Sequence, residues 1–225
     1  MTEFTFVPRS VWPYFVNFLI VGLAFGVLGP ALTDLREQSG ADIGDIGILF
    51  VGMSAGYLVG SFTGGRLFDR FNGHRVLAGS LVLLGIGLAL VPVFAELGAL
   101  FATFVLIGFG GAICDVGCNT LLMWELGAGS GRAMNLLHLC FGIGALIAPL
   151  MVHIGLAVAT RTAALGCAVL AVWAAEGPDA HTNLNPKGIV PSKAAVDAMV
   201  VFTWSAPKRA QPLQGCDRIP TANPG

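Results

Sequence analysis

The chain has 225 residues, of which 55% are hydrophobic and only 11% charged, with 31 glycines and a net charge of −1. Soluble domains carry about 25% charged residues and about 7% glycine, so this composition excludes an ordinary water-soluble fold. The small net charge gives no electrostatic reason to expect a nucleic acid or an acidic ligand, and at about 20 residues per span the length accommodates roughly six or seven membrane crossings, or fewer with a soluble appendage.

Six apolar stretches follow one another along the chain. The first covers residues 12–32 and is interrupted only by Asn17 and by Gly29-Pro30 near its end. It lacks the basic cluster and the small-residue cleavage site of a signal peptide, so it reads as a retained helix. An acidic loop with Asp34, Glu37, Asp42 and Asp45 comes next. In the second stretch, residues 46–65, Gly52, Gly56, Gly60 and Gly64 recur at every fourth position. That spacing puts all four on one helical face and lets another backbone approach closely. The third stretch is residues 76–95, and the fourth, residues 97–123, contains a single charge, Asp115. The fifth, residues 133–159, carries Asn135 and His138 on a shared face. The sixth, residues 162–175, is shorter than the roughly 20 residues of a span unless its helix begins before Arg161.

The arginines sort by side. Arg9, Arg66, Arg70, Arg75 and Arg132 fall on one face, Arg36 and Arg161 on the other, and the positive-inside bias then puts the N-terminus in the cytoplasm. From Glu176 the composition changes, since all three lysines and seven of the 12 prolines lie in the last 50 residues. Residues 1–175 therefore read as a six-helix membrane unit and 176–225 as a low-order cytoplasmic tail, with one candidate surface helix opened by Ser192.

Four of the five cysteines, Cys114, Cys118, Cys140 and Cys167, lie inside apolar stretches, where they behave as small apolar side chains. No zinc-type spacing accompanies them, and neither a metal nor another cofactor is expected. Asp115 is different, because a carboxylate in a membrane helix costs about 2.5–3.5 kcal/mol even on the gentlest insertion scale and must face the bundle interior or a wet cavity. Asn119 lies one turn further along the same face. Desolvation disfavours the charged form of a carboxylic acid, which suits Asp115 to taking up and releasing a coupling proton; the bland alternative is an aspartate that only bonds a neighbouring helix. Asn135 and His138 offer donors and acceptors to a polar solute, or else serve as glue between helices. An intramembrane serine protease built on Ser130 and His138 fails on geometry, because Ser130 falls in a loop, so no enzymatic activity is expected.

Residues 64–77 read GGRLFDRFNGHRVL. This segment resembles the signature loop of the major facilitator superfamily, with Gly65, Asp69, Arg70, Gly73 and Arg75 at the motif positions and Asn72 where a second glycine usually stands. Residues 110–122 (GGAICDVGCNTLL) and 131–150 (GRAMNLLHLCFGIGALIAPL) are similar to helices four and five of the fucose:proton symporter family and its glucose-transporter-like relatives. The resemblance covers about residues 12–175. It implies an all-α membrane fold of six helices arranged as two inverted three-helix repeats, which is one half of such a transporter. It also implies that Asp115 is the protonatable carboxylate, that Asn119, Asn135 and His138 border the sugar site, and that the Asp69 loop latches one state of the transport cycle.

The sequence therefore reads as the N-terminal half of a proton-coupled carrier in the cell membrane, taking up a sugar or similar small polar solute by alternating access and driven by the proton gradient. Such a half needs a separately encoded second half or another copy of itself, and the glycine face of the second span is expected to meet that partner. The alternative is a truncated, non-transporting membrane protein or an interaction partner of a full-length carrier.

Overall fold

A computed structural model describes residues 8–176. They form eight α-helices: α1 (Trp12–Leu28), α2 (Leu32–Ser39), α3 (Ile43–Ile46), α4 (Ile48–Arg70), α5 (Gly73–Leu90), α6 (Leu97–Leu126), α7 (Ser130–Ile154) and α8 (Leu156–Glu176). The tail expected over 176–225, including the element opened by Ser192, lies outside the described residues beyond Glu176. The six expected spans correspond to α1 and α4 to α8. Pro13 sits in the first turn of α1, where its missing N–H costs nothing. The first stretch ends early, at Leu28, and the acidic segment after it is helical rather than a plain loop. α8 begins at Leu156, before Arg161, and so reaches 21 residues, although its mainly apolar part, Val158–Val172, is shorter than a span and includes Arg161.

By length and apolarity, three helical stretches can cross a bilayer, and a fourth can if α1 and α2, bent by 49°, make one span. The longest runs 58 residues from Leu97 to Ile154. As one rod it would be about 87 Å long, nearly three times the bilayer core. The contacts show that it is two passes. Asn17 meets Cys118 and Phe25 meets Gly111, so α1 and α6 are antiparallel. Gly22 meets Phe141 and Gly26 meets Ala145 and Ala148, so α1 and α7 are parallel. The chain therefore reverses between α6 and α7, at Gly127, whose φ of +54° an L side chain rarely adopts. Gly155, with φ +146°, separates α7 from α8, which packs back along α5 and α1.

α4 runs parallel to α6, and α5 antiparallel to it through Ser80 with Cys114 and Gly87 with Ile107. Exchanging α1, α4 and α5 for α6, α7 and α8 maps the α4–α6 pair onto α7–α1 and α5–α6 onto α8–α1, and leaves α5–α8 unchanged. This is the packing of two inverted three-helix repeats. The two parallel pairs are also joined alike. In one, Gly56 lies against the Val105 carbonyl and Gly108 against that of Met53; in the other, Gly22 lies against the Phe141 carbonyl and Gly144 against that of Leu19.

The glycine face of α4 thus has a partner within the same unit, which corrects the expectation that it faces a second half. Gly52, Gly56 and Gly60 receive Phe101, Val105 and Phe109 of α6, and a Cβ at Gly64 would lie 3.5 Å from the Ile113 Cα. α6 carries bulky residues at the same four-residue interval, so its ridge fills the groove that the glycines leave.

The loop after α4 explains why asparagine can replace glycine in the signature. Asn72 is the N-cap of α5, its Oδ1 accepting from the backbone N–H groups of His74 (3.1 Å) and Arg75 (3.3 Å). The adjacent Gly73 lies where a Cβ would strike the Leu121 side chain. Asn72→Ala is expected to cost about 1 kcal/mol, read as faster hydrogen exchange confined to the first turn of α5. Unchanged exchange there would show that the cap contributes nothing.

Candidate functional site

Between α1, α4, α6 and α7 lies a cavity of about 170 Å³. α1 contributes Phe18 and Phe25, α4 Tyr57, α6 Gly111 and Asp115, and α7 His138 and Phe141. The helices come close enough to share this space because their backbones touch at the glycines described above. Gly111 adds to it, since a Cβ there would overlap the Phe25 ring.

Asp115, in the middle of the 30-residue α6, is the only carboxylate lining this cavity among the described residues. Both of its oxygens are engaged by protein donors. The Tyr57 hydroxyl donates to Oδ2 at 2.5 Å, and Asn119 Nδ2 donates to Oδ1 at 2.8 Å while also bonding the Asp115 backbone carbonyl. An intramembrane carboxylate is tolerated when it is paired in this way. The aromatic wall is ordered by edge-on contacts: Phe25 against Tyr57 at 6.2 Å between ring centroids, and Phe18 against His138 at 5.6 Å.

Of the residues singled out in the sequence, Asp115, Asn119 and His138 converge here. Asn119 lies behind Asp115 as its bonding partner rather than on the cavity wall. Asn135 does not line the cavity; it is exposed on α7, one turn from His138, which is itself exposed on one side. Asp69, Arg70 and Arg75 are all exposed at one end of the bundle, and Gly65 has open space beside it. Tyr57 was not anticipated. Its signal was present, since the chain has only two tyrosines and both lie in apolar helices, each bonded to an ionisable side chain: Tyr57 to Asp115, and Tyr14 to His74 at 3.0 Å. Asn17 likewise ties α1 to α6 by donating to Cys118 Sγ.

The sequence profile of the Major Facilitator Superfamily matches residues 14–196, running past the boundary expected at Ala175. Similar curated proteins include Sodium-dependent glucose transporter 1A of Mus musculus, 34% identical over 137 residues, which is 61% of this chain and 32% of that protein. Sodium-dependent glucose transporter 1 of Homo sapiens is 34% identical over 140 residues, 62% of this chain and 27% of that protein. Major facilitator superfamily domain-containing protein 4A of Mus musculus is 29% identical over 144 residues, 63% of this chain and 28% of that protein. The chain matches about a third or less of the length of these relatives.

Proposed function

The chain belongs to the major facilitator superfamily, and on that premise we propose that it is one six-helix half of a cation-coupled carrier for a glucose-like solute, with Asp115 as the coupling carboxylate. It is a multi-pass membrane protein. The observation that carries the proposal is the cavity with a single, doubly bonded carboxylate between the parallel helix pairs. Its volume of about 170 Å³ is below the roughly 300 Å³ at which small-molecule pockets begin, which fits one wall of a site that a second half completes. That half meets this one on the flank where Asn135 and His138 are exposed. By the positive-inside bias, the end bearing Arg66, Arg70, Arg75 and Arg132 lies in the cytoplasm of a cell-membrane protein.

The identity of the coupling cation turns on the ligands around Asp115. A sodium ion in a membrane carrier is held by oxygen acceptors, commonly carbonyls freed where a helix is broken. α4 and α6 are continuous at this level, and the side chains bonded to Asp115 are donors. These donors occupy the carboxylate lone pairs that a sodium ion would need, and one of them, the Tyr57 phenol, can instead accept once the carboxyl holds a proton. The names of the relatives favour sodium as the second reading. Proteoliposome uptake of labelled glucose under separately imposed proton and sodium gradients decides between them. The proposal expects accumulation with the proton gradient alone. Accumulation only with sodium would overturn the proton reading, and absence of uptake under both would remove the reading that this chain transports by itself.

A further inference from the structure

We infer that the Tyr57 hydroxyl is a reversible hydrogen-bond switch between the ion and the solute: it donates to Asp115 when the carboxylate is ionised, and turns its hydrogen to the cavity when Asp115 is protonated. The inference rests on the proton reading above. Tyr57 touches both components, since it bonds Oδ2 of Asp115 and also lines the cavity. The two partners on Asp115 differ in kind. The Asn119 amide nitrogen can only donate, whereas a phenol can donate or accept. An incoming proton from cavity water therefore settles on Oδ2, which then becomes the donor. Two O–H groups cannot donate into each other, so the Tyr57 oxygen accepts and its own hydrogen swings to the other side. Release of the proton to water reverses each step, with no bond to carbon formed or broken.

The backbone holds Tyr57 at this place. Gly108 of α6 lies where a Cβ would come within 3.0 Å of the Tyr57 backbone nitrogen, and Phe25 backs the ring edge-on. The other titratable groups near Asp115 are His138 of α7, which lines the same cavity, and Cys114 and Cys118 of α6 itself. From α1 and α5 the neighbouring polar groups are Asn17 and Ser80, bonded to those thiols. Among the described residues none of these is bonded to Oδ2.

The chain has only two tyrosines, so a Tyr14→Phe background leaves Tyr57 as the single tyrosine reporter. Infrared difference spectra of that protein, labelled with ring-¹³C tyrosine and titrated in pH, follow the phenol C–O band together with the carboxylic C=O band of Asp115. The C=O band is assigned by its loss in Asp115→Asn. The switch predicts that the phenol band moves in step with the carboxyl band, and that Asp115→Asn holds it at one position across the same range. A carboxyl that titrates while the phenol band stays still overturns the switch and leaves the proton reading standing. Failure of any Asp115 carboxyl to titrate overturns both. Adding D-glucose is expected to shift the phenol band only at the acid end; a shift at both ends, or at neither, would sever the link to the solute.

Discussion

Gly108→Val is expected to destabilise the bundle by about 3 kcal/mol, the upper end of what overpacking costs, and to scatter the residues that line the cavity. A Cβ at Gly108 would overlap the Met53 carbonyl, and the Tyr57 backbone nitrogen lies next to it. These are backbone atoms, so no side chain can turn aside to make room; the helices have to separate. In lipid that separation is not opposed by a hydrophobic drive between helices, because tails solvate them equally well, and association rests on close packing. Separation of α4 from α6 draws Tyr57 away from Asp115 and leaves an intramembrane carboxylate short of a donor. The measurement is unfolding of the purified protein in mixed micelles with increasing denaturing detergent. Gly65→Ala is the control: nothing lies within 4 Å of its Cβ position, and its effect should stay within about 0.5 kcal/mol. Equal midpoints for wild type and Gly108→Val would show that the close approach contributes nothing. Gly144→Val, which meets the Leu19 carbonyl in the symmetry-related pair, should behave like Gly108→Val.

That pairing also shows where the sequence runs out. The four-residue interval of Gly52, Gly56, Gly60 and Gly64 defines a face because 3.6 residues make a turn, but the interval does not say what meets it. The matching interval on α6, Phe101, Val105, Phe109 and Ile113, was equally present in the sequence. Joining the two required knowing that α4 and α6 run parallel, which is a property of the whole topology. Asp115 was legible because a charge in lipid is rare and costly, and Asn119 because a helix stacks positions four apart. Tyr57 was not, since a tyrosine in an apolar helix is ordinarily an amphipathic filler and only its distance to Asp115 distinguishes it. Asn135 shows a limit of the opposite kind. It shares a face with His138, yet one turn along α7 is enough to carry it off the cavity wall.

Asp115→Asn is expected to abolish accumulation of solute against its gradient while leaving the fold intact. Asparagine has the shape of aspartate and keeps an oxygen that Tyr57 can donate to, so the α4–α6 tie survives. It has no proton to gain or lose, so the step that links solute movement to the cation disappears. A single coupled proton and a one-unit pH gradient sustain about tenfold accumulation, since one unit is worth about 1.36 kcal/mol. In the variant the ratio of inside to outside solute should fall to about one at the end of the time course, whatever gradient is imposed. Downhill exchange of labelled for unlabelled solute needs no net proton movement, and it should persist within a fewfold of wild type. The two readouts separate a coupling role from a structural one. Loss of exchange together with a lowered unfolding midpoint would make Asp115 a packing residue, and accumulation at the wild-type ratio would place the coupling proton on another group, His138 being another titratable side chain on the cavity wall.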